Sequence, residues 1–261
     1  MPHVAGIYIY PIKSLDGIEV QNAQILSSGA LNFDREFAMF DRWGKYINGK
    51  RNPKVHLLRL YSHQEARTVS LHFPDSDSPQ VFHLDDQRKS LTEALSDFFQ
   101  QQVTLKQNTL MGFPDDTRSP GATIVSTATL IEVASWFPGV SVEQMRRRMR
   151  ANIEIGGVEA FWEDKLFTTA ENTVDFYIGD VLFKGVNPCL RCSVPTKDPD
   201  TGESYPHFQK IFAQQREKTL PDWKDSSEFK GFYRLTVNTR LDPSKGGKNI
   251  AVGAEIHFLQ Q

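Results

Sequence analysis

Cysteine is scarce in this chain: there are two in 261 residues, Cys189 and Cys192, three positions apart. Two such neighbours cannot staple a fold, which excludes a disulfide framework and suits a reducing compartment. No second Cys or His pair accompanies them, since the seven histidines are scattered singly, and this weighs against a four-ligand structural zinc site. Long apolar runs are missing too. None approaches the roughly 20 residues of a membrane helix, so no membrane association is expected. The opening M-P-H-V-A-G-I-Y-I-Y-P-I-K reads as a strand. It has neither the basic start, apolar core and small-residue cleavage site of a signal peptide nor the Arg-rich pattern of a transit peptide, and a cytoplasmic location is the expectation. Neither sign of charge dominates, with 30 Lys and Arg against 32 Asp and Glu and a net charge of -2. That removes the usual electrostatic reason for binding nucleic acid or an anionic membrane. Any anion site must come from a local cluster. Repeats and low-complexity tracts are absent, and the glycine pair Gly246-Gly247 fits a hairpin tip better than a phosphate loop.

What is present is ordinary globular composition, 39% hydrophobic and 24% charged, with room for one large domain or two small ones. Period-two alternation predicts strands at His3 to Ile12, Ile18 to Leu26, Glu36 to Phe40, Val55 to Tyr61, Thr68 to Phe73, Gln80 to Leu84 and Gln102 to Lys106. Further strands are expected as a pair over Asp175 to Val186, then at Phe232 to Thr239 and Ile250 to Leu259. Capping boxes at Ser90-Leu91-Thr92-Glu93 and Ser141-Val142-Glu143-Gln144 open two helices. Ser126 starts another, with Leu130, Ile131, Ala134 and Phe137 facing inward, and Pro206 opens a fourth. Arg146, Arg147 and Arg148 form a basic run near a helix C-terminus, which suits the helix dipole and is ordinarily a solvated face. The turn formers of Phe113 to Gly121 mark a boundary or crossover. The expected fold is α+β, mainly β, divided at 1–115 and 116–261.

The chemistry concentrates in Asn187 to Gly202, N-P-C-L-R-C-S-V-P-T-K-D-P-D-T-G. A thiol beside a guanidinium is easier to deprotonate, and a soft anionic sulfur is then available to a metal or an oxidant. A thioredoxin-like pair should open a helix after a strand, whereas Pro195 and the D-P-D-T-G turn follow closely here. Two ordinary loop cysteines, or one cysteine ligating a transition metal held mainly by something else, both stay open. Elsewhere, Pro11 and Asp16-Gly17 frame a turn exposing Lys13 and Ser14, which is either a solvated corner or an anion clamp. Arg35 precedes a strand, and Arg51 lies in a neighbouring turn. Arg150 and Asn152 stand at alternate positions and should share one side. The loop from Gly156 to Asp164 carries Phe161 and Trp162, which suit a surface or core plug.

These elements together resemble the MOSC family in its two-part form, which includes the mitochondrial amidoxime-reducing components. The carriers of the likeness are Y-P-I-K-S at Lys13 and Ser14, D-R-E at Arg35, M-R-A-N-I at Arg150 and Asn152, and L-R-C followed by D-P-D-T-G. The resemblance implies an N-terminal β-barrel segment and a MOSC barrel enclosing a molybdenum pyranopterin, the molybdenum cofactor. Cys192 would be the metal ligand and catalytic thiolate, and Cys189 an accessory. Lys13, Ser14, Arg35, Arg150, Asn152 and Arg191 would bind the cofactor. So would Asp116, Thr117 and Ser119, in a D-T-R-S-P loop that corresponds inexactly to the family's D-T/S-x-P, and the W-E-D stretch would lie near the substrate. Some members of the family are also linked to pyridoxal phosphate. The implied reaction is reduction of N-hydroxylated compounds by oxygen-atom removal at molybdenum, in the service of N-reductive detoxification. Because two cysteines cannot hold an iron-sulfur cluster, electrons would come from a separate donor protein, ferredoxin-like or cytochrome b5-like with its reductase. A non-catalytic cofactor carrier or sulfur-transfer protein is the rival reading, and an interaction module with an empty site is a third.

Overall fold

The computed structural model of the chain describes residues 1–64, 67–74, 76–168 and 172–258. In chain order, β1 (His3–Ile9), β2 (Ile18–Val20), β3 (Asn22–Gln24) and β4 (Phe37–Phe40) are followed by β5 (Arg59–His63), β6 (Thr68–His72) and β7 (Gln80–His83). Helix α1 (Arg88–Phe99) and β8 (Thr104–Gln107) lead to the turn-rich segment. Beyond it come β9 (Ile124–Ser126), α2 (Thr127–Ser135), α3 (Val142–Met149), β10 (Ile153–Gly156), β11 (Val174–Ile178) and β12 (Val181–Leu190). The chain closes with α4 (Phe208–Lys218), β13 (Arg234–Leu241), β14 (Asn249–Ala251) and β15 (Ile256–Phe258). The fold is α+β and mainly β, as the alternation implied.

Eight strands form one sheet in the order β15-β11-β12-β13-β9-β10-β1-β2. Strands β1 and β2 therefore hydrogen-bond into the same sheet as the C-terminal elements, with β1 antiparallel to β10 and β10 parallel to β9. Three small sheets, β14-β3, β4-β8 and β5-β6-β7, complete the strand pairing among the described residues. The pleat explains the sequence: β12 buries Val181, Phe183 and Gly185 at alternate positions. Gly185 is there because a Cβ would fall 1.7 Å from the Leu166 carbonyl oxygen. One core lies on the sheet, around Ile124, Ile153, Phe176, Phe183 and Val237. A second lies under α2, α3 and α4, around Leu130, Phe137, Met149, Phe208 and Phe212.

Differences from the expected elements have local causes. The strand expected over Ile18 to Leu26 is two strands, because the chain leaves β1 for β14 at Gln21. Residues 53–57 form a 3-10 turn, not a strand. Asn52 caps it by accepting from the Lys54 N–H, and Pro53 sits at its first position. Helix α1 begins two residues before Ser90, so that capping box is not used, whereas Ser141 and Gln144 do make the reciprocal bonds of theirs. Ile131 is exposed, and Val133 takes the inward place in α2. The strand expected over Ile250 to Leu259 is β14 and β15 separated by a turn, with Leu259 outside the described residues.

Candidate functional site

A cleft of about 810 Å³ opens where the β1–β2 turn, the segment after β8, helix α3 and the loop after β12 converge. Its wall carries eleven Lys and Arg side chains against six carboxylates in a chain whose net charge is negative. This is the local cluster that the composition alone could not locate.

Three wall residues adopt the left-handed backbone that favours glycine: Ser14 (φ 78°), Arg35 (φ 49°) and Arg150 (φ 53°). Such conformations cost on the order of 1 kcal/mol each and persist where the surroundings enforce them. Arg150 is the C-cap of α3, its N–H bonded to the Arg146 carbonyl at 2.9 Å. It therefore shares the cleft with Asn152 through a helix ending, not through strand alternation. The Arg150 and Arg35 guanidinium carbons lie 4.1 and 4.7 Å from the centre of the Tyr10 ring, a cation–π arrangement. Arg35 also donates to the Asp34 carboxylate, to Asn152 Oδ1 at 3.2 Å and to the Arg150 carbonyl at 3.2 Å. Burial works against its charge, but Asp34 and Tyr10 hold Arg35 above its ordinary pKa. Arg150 has no such carboxylate, and burial pushes it down.

Asn152 is buried with most of its amide engaged. Its Nδ2 donates to the Tyr8 carbonyl at 3.0 Å, and its Oδ1 accepts from the Thr123 N–H and hydroxyl as well as from Arg35. It orients Arg35. Lys13 extends its ammonium to the Phe113 carbonyl at 2.9 Å and the Asp115 carboxylate at 2.5 Å. Burial lowers its pKa against the pull of Asp115. Ser14, Asp116 and Ser119 also line the cleft, Ser119 accepting from Arg240 Nε at 3.1 Å. Thr117 does not line it and is exposed. Asp115, which the family pattern did not single out, faces Lys13 in its stead.

The two cysteines occupy different surroundings. Cys189, still within β12, is buried and donates to Asn238 Oδ1 at 2.8 Å; burial pushes its thiol up despite the nearby Arg191 charge. Cys192 is half-buried in the loop, its Sγ accepting from the Val194 N–H at 3.4 Å and its carbonyl from the Tyr233 hydroxyl at 3.0 Å. The Arg191 guanidinium donates to the Met149 carbonyl at 2.6 Å and the Thr236 hydroxyl at 3.5 Å. Thr236 itself has φ 67° where the β12–β13 register shifts. A β-branched residue in that region is a true outlier, and no sequence signal marked it.

The arginines of α3 are not a solvated face. Arg146 pairs with Glu154; Arg147 grips Asp200 at 2.8 and 3.0 Å; Arg148, fully buried, donates to the Pro195 carbonyl at 3.1 Å and the Lys197 carbonyl at 2.5 Å. Arg59 donates to Asp200 at 2.9 Å. The cysteine loop is therefore fastened to a helix and to a strand from the other half of the chain. A bidentate guanidinium fixes direction as well as charge. Arg51 is exposed and outside the cleft. Trp162, Glu163 and Asp164 are buried away from it, the core plug rather than a substrate loop.

Three sealed guanidinium nitrogens in the cleft wall have no partner among the described residues: Arg148 Nε, Arg150 Nη2 and Arg191 Nε. Buried donors left unpaired cost free energy, and a bound anionic group relieves that cost. A phosphate-bearing heterocycle with a soft metal fits this donor set, with cations for the phosphate and a half-buried sulfur for the metal.

Comparison with known proteins agrees with this geometry. The sequence matches the MOSC N-terminal beta barrel domain over residues 1–138 and the MOSC domain over residues 122–257. It is 25% identical to mitochondrial amidoxime-reducing component 1 of Mus musculus over 99% of this chain and 82% of that protein. Against the Homo sapiens protein of the same name it is 25% identical over 76% of this chain and 67% of the relative. It is also 22% identical to molybdenum cofactor sulfurase of Homo sapiens over 83% of this chain, which covers 29% of that larger protein. With two overlapping matches that account for residues 1 to 257, and a cationic cleft around its one accessible cysteine, the chain belongs to the MOSC family.

Proposed function

We propose that the cleft holds a molybdenum cofactor and that the protein reduces N-hydroxylated compounds such as amidoximes and hydroxylamines. The observation that carries this reading is the presence of sealed, unpaired guanidinium nitrogens of Arg150 and Arg191 in the same cleft as the half-buried Cys192 sulfur. When bound, the cofactor supplies two-electron oxygen-atom chemistry, turning an N–OH group, two electrons and two protons into N–H and water.

The chain's own residues supply position and charge. Cys192, as the thiolate, is the soft ligand. Arg150 and Arg191 offer their free donors to the phosphate and the polar edge of the cofactor, and Arg35 adds positive charge fixed by Asp34 and Asn152. Lys13 gives up part of its bond to Asp115 in favour of the incoming anion, and Ser14 contributes a hydroxyl. Arg147, Arg148 and Arg59 hold the loop so that the Cys192 sulfur keeps its place. The electron donor is a separate redox protein.

The similarity to a molybdenum cofactor sulfurase favours a second reading, in which the cleft carries the cofactor or its sulfur and Cys192 bears a persulfide. One experiment separates the two. Wild type and Cys192→Ser, made in a host that synthesises the cofactor, are compared for molybdenum content and for benzamidoxime reduction with a chemical electron donor. The expected outcome is metal and activity in the wild type, with activity abolished in the variant. Metal without activity favours the carrier, and no metal in the wild type rejects both.

A further inference from the structure

His56 stands in the cleft wall without a role in any of this. It lies in the 3-10 turn Pro53–Leu57 and is buried. Two glycines from different parts of the chain make room for its ring. A Cβ on Gly49 would fall 2.5 Å from His56 Nε2, and one on Gly202, at the end of the D-P-D-T-G turn, would fall 3.3 Å from His56 Cβ and Cδ2. Its carbonyl accepts from Arg59, which also holds Asp200, so the imidazole is seated against the loop that carries Cys192.

The ring has one orientation of chemical interest. Nε2 lies 3.4 Å from the Gly49 carbonyl, which can only accept, so Nε2 carries the proton and Nδ1 keeps its lone pair. Among the described residues Nδ1 has no hydrogen-bond partner, and it is not sealed as the guanidinium nitrogens are. Burial holds the imidazole neutral, reinforced by the charges of Lys197, Arg150 and Arg59. Four of the six carboxylates in the wall, Asp16, Asp34, Asp115 and Glu143, are ion-paired, and Asp116 accepts from the Arg118 N–H. A neutral acceptor with a free lone pair is therefore set into a wall of donors and cations.

We propose that His56 Nδ1 receives the N–H or O–H donor of the substrate and so favours N-hydroxylated compounds over N-oxides, which carry no such donor. The proposal rests on the reductase reading of the cleft. A neutral amidoxime enters among cations without charge repulsion and offers its amino or hydroxyl hydrogen to Nδ1. The amidine product is protonated in neutral water and is repelled by the same cations, which favours its release.

The test uses the molybdenum-loaded protein and two probe substrates: benzamidoxime, which has donors, and pyridine N-oxide, which has none. In His56→Leu the ratio of kcat/KM for benzamidoxime to that for pyridine N-oxide should fall about three- to tenfold, the worth of one neutral hydrogen bond. His56→Asn, whose amide oxygen falls near the Nδ1 position, should restore the ratio. A ratio unchanged in His56→Leu overturns the proposal, as does a loss that His56→Asn shares. The binding readout is the 15N resonance of His56 Nδ1 during titration with benzamidoxime, expected to move with benzamidoxime and to stay with pyridine N-oxide. If the loaded wild type reduces neither compound, the reductase reading fails. The titration then decides the fate of His56 by itself, because an unmoved Nδ1 signal rejects it.

Discussion

Two parts of this molecule bury charge, and they do so differently. In the plug below α2, Glu163, Asp164, Arg216 and Lys224 are all nearly inaccessible. Arg216 pairs with Asp164 and lies 4.1 Å from the centre of the Phe161 ring; Lys224 pairs with Glu228; Glu163 accepts from the Thr129 hydroxyl at 2.9 Å. Its unpaired atoms are of both kinds, an acceptor on Glu163 and donors on Arg216. In the cleft the sealed unpaired atoms among the described residues are donors only, and cations outnumber carboxylates. Balanced burial closes on itself and holds the fold, while burial with an excess of one sign leaves a demand that something from outside must meet. The difference separates a structural ion network from a ligand site even though both are built of arginine and acid.

The largest effect should come from breaking the balanced network. Arg216→Met leaves the buried Asp164 carboxylate without its partner and should cost about 3–5 kcal/mol in urea unfolding, with the molybdenum content of the folded fraction unchanged. Reduced molybdenum at full stability would instead tie the network to the cleft. Next comes Glu163, whose pKa is pushed up to about 7 by burial and then by the charge of Asp164. The unfolded carboxyl ionises at its ordinary value while the folded one keeps its proton. The contribution of this group to stability is therefore fullest at low pH, falls as pH rises past the ordinary carboxylate range, and levels off above 7 with a loss of about 3 kcal/mol. Glu163→Gln should flatten that slope and leave the protein about 2 kcal/mol more stable than wild type at pH 8. Parallel stability profiles of the two proteins would mean that Glu163 ionises at its ordinary value in the folded state as well.

Much of the site was legible because its residues sit in short motifs whose local geometry is set by sequence neighbours. Lys13 and Ser14 follow a proline at the end of β1, Arg150 and Asn152 span a helix ending, and Cys192 stands just past β12. What was not legible depends on which distant element covers a residue. Arg147 and Arg148 read as a solvated run because nothing in α3 itself reports that the 195–200 loop folds over it. Asp115 and Thr117 sit two positions apart in one turn, and only the turn's path decides which faces Lys13. The strained Thr236 depends on a register shift between two strands, and His56 on two glycines that lie 7 and 146 positions away along the chain. The same reasoning accounts for the fold: strand texture and mainly β character came from alternation, whereas the splitting of Ile18 to Leu26 between two sheets reflects partners far along the chain.

The smallest expected effect is also the sharpest test of the contrast between the two regions. Arg150 holds a left-handed C-cap position, φ 53° and ψ 42°, where glycine is the usual residue because it has no Cβ to crowd the carbonyl. Its side chain carries a sealed nitrogen without a partner, set against the stacking of its guanidinium on Tyr10. Arg150→Gly removes the backbone cost and the unmet donor together while losing the stacking, so its stability should match wild type or exceed it by up to about 1 kcal/mol. Molybdenum retention should fall in the same protein, and Arg150→Lys, which keeps the charge but not the fork, should retain an intermediate amount without the gain in stability. A residue whose removal leaves the fold intact and empties the cleft belongs to the ligand. If Arg150→Gly instead lost more than about 2 kcal/mol, the size of a broken buried interaction, Arg150 would join Arg216 as part of the fold, and the excess of unpaired donors would no longer distinguish the cleft.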